Sequence, residues 1–324
     1  MKRVLLTGAT GFFGRALLRH WAASSEPPQV IGLSRDPQRF FLRYPEFREL
    51  EWLELAGGDI VDMPKLRALP AFDAVIHAAT DSTLGPKRPR LALHDEIVGG
   101  TRNVLDLAVE RGVKRMLLTS SGMVYGRLPA SPAVPEDWAG APDPLEPANV
   151  YACAKRAAEH LCMLYGAQHV LEVVVARCFA FVGEDLPLDV HYAAGNFIRD
   201  ALTADAIRIG GDGRSVRSYM DQRDLAHWLL TLLEKGRAGR AYNVGSGRAV
   251  TIAELAQAIV NAIAPGKPVH ILGAGSPTPP TYYVPDVSRA RDELGLTVTI
   301  ELEQAVRDTA AALRRRDALL ETAR

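Results

Sequence analysis

The sequence predicts an α/β fold: a doubly wound parallel sheet with a smaller α/β lobe interleaved toward the C-terminus. Three observations carry this. Short apolar runs, "RVLLTG", "QVIGLS", "AVIHAA", "RMLLTSS" and "LEVVVARC", recur through the first half. They are apolar throughout rather than alternating, as expected of strands covered on both faces. Helical stretches at 12–23, 91–111 and 151–166 fall between them, and such alternation builds a parallel sheet. Beyond about residue 179 the pattern loosens into loops at 183–187, 210–215 and 273–280, yet "AYNVGS" (241–246) again reads as a buried strand. A sheet domain is therefore expected over 1–178 with a return over about 220–248. The lobe then takes 179–219 and 249–324.

The chain of 324 residues is long enough for both parts. Hydrophobic residues make up 48% and charged residues 23%, the balance of a water-soluble globular protein. Lys+Arg and Asp+Glu are equal at 38 each, so no global field favours nucleic acid or an anionic membrane. The basic runs "PKRPR" (86–90) and "RRR" (314–316) read as solvated faces. Three cysteines, Cys153, Cys162 and Cys178, show no metal-binding spacing and suit a reducing compartment. The start "MKRVLLTGATGFFG" does not read as a signal peptide, and no run approaches a membrane span, so a cytoplasmic protein is expected.

The first strand leads directly into "TGATGFFG" (7–14), which opens an amphipathic helix carrying Phe12, Phe13, Ala16, Leu17 and Trp21. Gly8 suits the tight turn, Gly11 a close approach to a pyrophosphate, and Gly14 close packing of helix on strand. The helix N-terminus offers free N–H groups and the positive end of its dipole. Strand before and helix after make this a Rossmann-type dinucleotide site. The second strand ends "VIGLSRDP", with Ser34 and Arg35 where an NAD site usually carries an acid. Serine does not repel a 2′-phosphate and the guanidinium pairs with one, which leans toward NADP over NAD. The competing reading has Arg35 on adenine or in water and Asp36 turned back to the ribose. Asp59 with Ile60 in "GGDIVD" is expected at the adenine amino group, and the small residues Ala78, Ala79 and Thr80 in "HAAT" let the cofactor lie against backbone.

The fifth apolar run ends in three hydroxyls, Thr119, Ser120 and Ser121, followed by Gly122 and Met123. In "YACAK", Tyr151 and Lys155 lie four apart, on one helix face. A free tyrosine with a pKa of about 10 is a poor base at neutral pH. A neighbouring ammonium favours the phenolate, and a strand-end hydroxyl orients the reacting alcohol or carbonyl.

Taken in order, these segments resemble the extended short-chain dehydrogenase/reductases, in the group of NAD(P)-dependent nucleotide-sugar epimerases and dehydratases. The resemblance runs from residue 3 to about 300 through "TGATGFFG", "SSGMVYG" (120–126), "YACAK" (151–155), "RCFAFVG" (177–183), "IGGDGRSVRSYMDQRDLA" (209–226), "YNVGSG" (242–247) and "YYVPDVSRARDELG" (282–295). It implies that Ser121, four residues before the Tyr of "VYG", joins Tyr151 and Lys155 as the catalytic set. It also implies cofactor contacts from Gly8, Gly11, Phe12, Phe13, Gly14, Ser34, Arg35, Asp59, Ile60, Ala78, Ala79, Thr80, Tyr151, Lys155 and Cys178. Ser121, Gly122, Asn196, Arg217 and Tyr283 are the expected substrate contacts, and no metal is called for.

Dehydratases of this group carry an acidic pair, or at least a Glu, directly after the catalytic Ser or Thr. Gly122 and Met123 stand there and transfer no proton, so the resemblance favours epimerisation through a transient 4-keto sugar. A keto-sugar reductase using NADPH needs the same residues, and a dehydratase remains if another loop supplies an acid. Cys153 and Cys178 flank the expected site, as bases or as small packing residues. Other departures are Ala180 and Ile97 in place of asparagines, and Ser276 near the place of a late arginine. Tyr282 and Tyr283 stack on a base or pack in the lobe, and Asp224 is expected to be structural. Helices 91–111 and 151–166 pair into a homodimer in this group.

Overall fold

The computed structural model describes residues 2–80, 88–128, 133–275 and 280–322. The chain forms two compact units, one of Met1–Arg127, Ala139–Cys178 and Ala226–Tyr242, the other of Leu128–Trp138, Phe179–Leu225 and Asn243–Arg324.

The first unit is built on β1 (Arg3–Thr7), α1 (Phe12–Ala22), β2 (Gln29–Ser34), α2 (Pro37–Arg43), β3 (Leu53–Gly57), α3 (Met63–Arg67), β4 (Ala74–His77), α4 (Arg90–Glu110), β5 (Arg115–Ser121), α5 (Val150–Gln168) and β6 (Glu172–Cys178). Its sheet has the order β11-β6-β5-β4-β1-β2-β3, where β11 is Arg240–Val244. The pairs β1–β2, β1–β4, β2–β3, β4–β5 and β5–β6 are all parallel. All four residues of the central strand β4 are buried, and β1 is buried after its first residue, which is why both read as unbroken apolar runs. The strand β3 escaped the sequence reading. At the sheet edge its residues stay part-exposed, and Glu54 interrupts the apolar signal.

One cluster joins sheet to helices: Val75, Met116, Leu118, Val173 and Val175 pack with Ile97, Val104 and Leu105 of α4 and with Ala154, Ala158 and Cys162 of α5. Burying a leucine of this kind contributes about 1.5–3 kcal/mol. The cluster uses Met116 and Leu118, so strand alternation sends Ser120 toward the same helices.

The second unit contains β7 (Phe181–Val182), α6 (Ala193–Thr203), β8 (Ile207–Ile209), β9 (Val216–Arg217) and β10 (Met220–Asp221). The helix α7 (Gln222–Lys235) then leads toward β11. After β11 come β12 (Val250–Thr251), α8 (Ile252–Ile263), β13 (Val269–Ile271), β14 (Tyr282–Tyr283), α9 (Ser288–Leu294) and α10 (Leu302–Thr322). Small sheets pair β10 with β7, β13 with β8, and β9 between β12 and β14. The segment 128–138 joins this unit because Val134 exchanges backbone bonds with Val284 and Asp286 and accepts from Asn243 Nδ2. Asp224 ties its helix to the chain before α10, accepting from the Thr299 hydroxyl at 2.6 Å and from the N–H groups of Thr299 and Ile300. A capping box of Thr251 and Glu254 starts α8.

Candidate active site

The glycine turn lies between β1 and α1. Gly8 has φ +72°, a conformation that favours glycine, and a Cβ there would lie 2.4 Å from the Ala78 carbonyl oxygen. A Cβ on Gly14 would lie 2.2 Å from the Ala9 oxygen, so both glycines are required by the protein's own packing. Gly11 differs. Its Cβ would meet only the Gly8 oxygen, at 3.3 Å, so its openness is available to a ligand. Gly11 is the N-cap of α1, which has no side-chain cap and no acid in its first turn. Its N–H groups and dipole therefore present a positive end, which fits a dinucleotide pyrophosphate.

Thr7 and His77 lock the two strand ends that flank this turn. The Thr101 hydroxyl donates to the Ile97 carbonyl at 2.6 Å, so its oxygen accepts from His77 Nε2 at 3.1 Å. That leaves His77 Nδ1 to accept from the Thr7 hydroxyl at 2.7 Å. Thr7 Oγ1 in turn accepts from the N–H groups of Ala78 and Ala79, at 3.2 and 3.3 Å. His77 is neutral: burial first, then the charge of Lys155, lowers its pKa to about 3. Thr80 closes a local turn, its hydroxyl donating to the Ala79 carbonyl. Phe12 and Phe13 sit half-buried with ring centroids 5.8 Å apart.

At the end of β2, buried Ser34 accepts from the Asp36 N–H at 3.2 Å, and Arg35 is exposed. Asp36 accepts from the Arg39 N–H at 2.9 Å and caps α2, a helix-starting role. Two residues that the sequence reading missed shape this end. Arg15 donates to the Thr10 carbonyl at 2.6 Å, with its guanidinium 4.7 Å over the Tyr44 ring. Asn103 donates to the Ile60 carbonyl at 3.0 Å and fixes the loop in which Asp59 accepts from the Val61 N–H.

The hydroxyls at the end of β5 have three different fates. Thr119 donates to the His77 carbonyl at 3.2 Å, and Ser120 donates to Glu159 at 2.5 Å. Ser121 instead accepts from the Met123 N–H at 3.2 Å, which leaves its own hydrogen to donate elsewhere. Lys155 donates to the Thr119 carbonyl at 2.9 Å and is 4% exposed. Burial lowers its pKa to about 8, against the raising influence of Cys178, Glu159 and Cys162. Tyr151 is half-buried one turn earlier on α5. Beneath them Glu159 pairs with Arg177 at 2.7 Å. No composition or spacing signal singles out Glu159, Thr101 or Asn103.

In the second unit, Arg217 of β9 and Tyr283 of β14 are register partners, with the guanidinium 5.7 Å from the ring centroid. Arg217 also donates to the Thr281 carbonyl and hydroxyl, at 3.2 and 2.9 Å. Tyr283 packs on Phe179 with centroids 4.6 Å apart, while Tyr282 is half-buried. Asn196 donates to the Val190 carbonyl at 2.8 Å and accepts from Arg199. It lines a pocket of about 500 Å³ together with His191, Arg199, Arg208, Asp212 and Ser215. Arg217 and Tyr283 are brought together; Asn196 lies in this separate pocket, whose lining includes neither.

A profile of the NAD dependent epimerase/dehydratase family matches residues 4–245. The chain belongs to this family. It is 27% identical over 314 residues to UDP-glucuronic acid decarboxylase 6 of Arabidopsis thaliana, covering 94% of this chain and 86% of that protein. It is equally 27% identical over 320 residues to the dTDP-glucose 4,6-dehydratase of Streptomyces griseus, covering 95% and 93%. Among solved structures, the dTDP-glucose 4,6-dehydratase of Bacillus anthracis in complex with NAD superposes with a TM-score of 0.84 at 20% identity, over 98% of both chains.

Within this enzyme family the chain keeps the glycine turn between β1 and α1, while other positions carry residue types of their own. Gly122 is buried at the start of the 3-10 turn Gly122–Tyr125, and Met123 is 47% exposed. Ile97 is buried in the core, and the Ala180 carbonyl accepts from the Met220 N–H. Ser276 lies outside the described residues. Cys178 stands opposite Ser121 in the β5–β6 register, and burial pushes its thiol up to about 12, which suits packing rather than proton transfer. Among the described residues no helix is long and apolar enough to cross a membrane, and no three His, Cys, Asp or Glu are grouped to hold a metal.

Proposed function

We propose that the protein is an NAD(P)-dependent epimerase of a nucleotide-activated sugar, working through a transient 4-keto intermediate. The observation that carries this reading is the division among the hydroxyls. Ser121 alone of the three keeps a hydrogen to donate, and the next two side chains offer no acid or base. When bound, the nicotinamide supplies reversible hydride chemistry at the sugar carbon. Ser121 orients the C4 oxygen, and Tyr151 takes the proton of the C4 hydroxyl as the C4–H bond breaks. Lys155 favours the phenolate of Tyr151 by its charge and holds the cofactor ribose. After the sugar turns over, Tyr151 returns the proton to the carbonyl oxygen and C4 regains hydrogen on its other face. Oxidation and reduction thus cancel.

The Ser34–Arg35 pair supports NADP at the ribose end, since it offers a cation and no carboxylate. Asn196, Arg217 and Tyr283 are the proposed substrate contacts. A cytoplasmic homodimer paired through α4 and α5 accompanies this reading. The decarboxylase relatives favour a second reading: a 4-ketone lies β to the carboxylate of a glucuronosyl group, so the same oxidation primes loss of CO₂.

The deciding experiment incubates the protein with UDP-glucose, dTDP-glucose or UDP-glucuronate, with NAD or NADP, and follows products by NMR. A C4 epimer with no net change in cofactor supports the proposal. A released pentose nucleotide assigns the second reading, and a 4-keto-6-deoxy product assigns a dehydratase. In a parallel incubation with a nucleotide 4-keto sugar and NADPH, stoichiometric NADPH oxidation assigns a reductase. No conversion of any of them overturns the proposal.

A further inference from the structure

Glu159 lies one helical turn beyond Lys155 on α5 and is 8% exposed. A buried carboxylate is costly unless paired. Here the Ser120 hydroxyl donates to Oε1 at 2.5 Å, while Arg177 donates through Nε to both oxygens and through Nη2 to Oε2 at 2.7 Å. The Arg177 guanidinium also lies 4.8 Å over the ring of Tyr125. Tyr125 ends the 3-10 turn whose N-cap is Ser121. One carboxylate therefore grips the residue before Ser121 and, through Arg177, the turn after it.

The same carboxylate acts on Lys155. Among the described residues, the ionisable groups that act on that ammonium include His77 from β4, Cys178 from β6, and Cys162 and Glu159 from α5, with Tyr151 one turn earlier on the same helix. His77 is neutral, and burial pushes both thiols up to about 12, so neither cysteine carries charge. With both thiols protonated at neutral pH, their influence on Lys155 is absent there, and the carboxylate of Glu159, within its salt bridge to Arg177, supplies negative charge.

We infer that Glu159 is a positioning residue for the proton transfer proposed above, on which this inference rests: it fixes the strand end that carries Ser121 and supplies the negative charge that keeps Lys155 an ammonium. An uncharged residue of the same shape meets the packing need but not the electrostatic one.

The test is an NMR titration of the lysine Cε resonances in the full-length protein, with Lys155 assigned by its loss in Lys155→Met. In Glu159→Gln the Lys155 midpoint falls by about one pH unit or more, and the Met123 amide, hydrogen-bonded to Ser121 Oγ, shifts. Glu159→Asp keeps the charge but draws it back by one methylene, and its midpoint falls between the two. Should the Gln variant not fold, the Asp variant is read alone against wild type. A Lys155 midpoint that does not fall overturns the electrostatic role, and an unmoved Met123 amide overturns the positioning role. The titration needs no substrate, so absent turnover on nucleotide sugars leaves it standing, and its own failure leaves the activity standing.

Discussion

The Thr7 hydroxyl and His77 Nδ1 meet at 2.7 Å across β1 and β4, with the far nitrogen of the ring held by Thr101. This pair ends both strands beneath the glycine turn and requires a neutral imidazole. The folded pKa of about 3 lies below the ordinary 6.5, so between these values the unfolded chain binds a proton that the folded one refuses. Stability from this group is therefore complete above pH 6.5 and falls by about 1.4 kcal/mol per unit as pH drops toward 3. Urea unfolding at pH 7 and pH 5 checks it: wild type loses about 2 kcal/mol more than His77→Asn over that interval. Equal losses remove the argument.

Lys155 produces a slope of the same sign in a more alkaline window. Its folded pKa of about 8 lies below the ordinary 10.5, so folding strips a proton within that window. The cost of burying the ammonium is full below pH 8 and vanishes as pH rises past 10.5. Lys155→Met is expected to be more stable than wild type near pH 7, by as much as about 3 kcal/mol, and to lose this advantage at pH 10.5. It should also lack turnover. Denaturation at both pH values, beside an activity assay, tests the pair of outcomes.

The three glycines of the turn should separate. Gly8→Ala combines a positive φ with a clash 2.4 Å from the Ala78 oxygen, and Gly14→Ala clashes at 2.2 Å with the Ala9 oxygen. Each should cost about 1–3 kcal/mol or more, seen as a lower Tm. Gly11→Ala has φ −79° and only a 3.3 Å neighbour, so its Tm should stay within a degree or two while dinucleotide affinity collapses. A Gly11→Ala protein that binds NAD or NADP normally, by calorimetry, would contradict the assigned role.

Thiol chemistry should single out one cysteine. Cys162 and Cys178 are buried with thiols pushed up to about 12, whereas Cys153 is half-buried. Maleimide at pH 7.5 should modify Cys153 alone in the native protein and all three in denaturant, read by intact mass. Native labelling of Cys178 would mean that the end of β6 opens readily.

Much of the architecture is legible in the sequence, for identifiable reasons. Central strands such as β4 are buried on both faces and leave unbroken apolar runs. The turn at Gly8 needs a backbone conformation that favours glycine. By contrast, β3 is half-exposed at an edge, and β7, β9, β10, β12 and β14 have two residues each, too short for any periodicity. The side chains that brace the site are the least visible. Ser120 and Glu159 are 39 positions apart, and Asn103 and Ile60 are 43 apart, so only the fold makes them neighbours. Asp36 shows how a local role takes precedence, because a helix that starts at Pro37 needs a cap.

Met123 has nearly half of its surface in solvent, at the place where the resemblance puts an acid in dehydratases. Little of the folding free energy depends on such a side chain. An exchange at this position can therefore leave the framework undisturbed, so the backbone by itself does not dictate whether a proton donor stands beside Ser121.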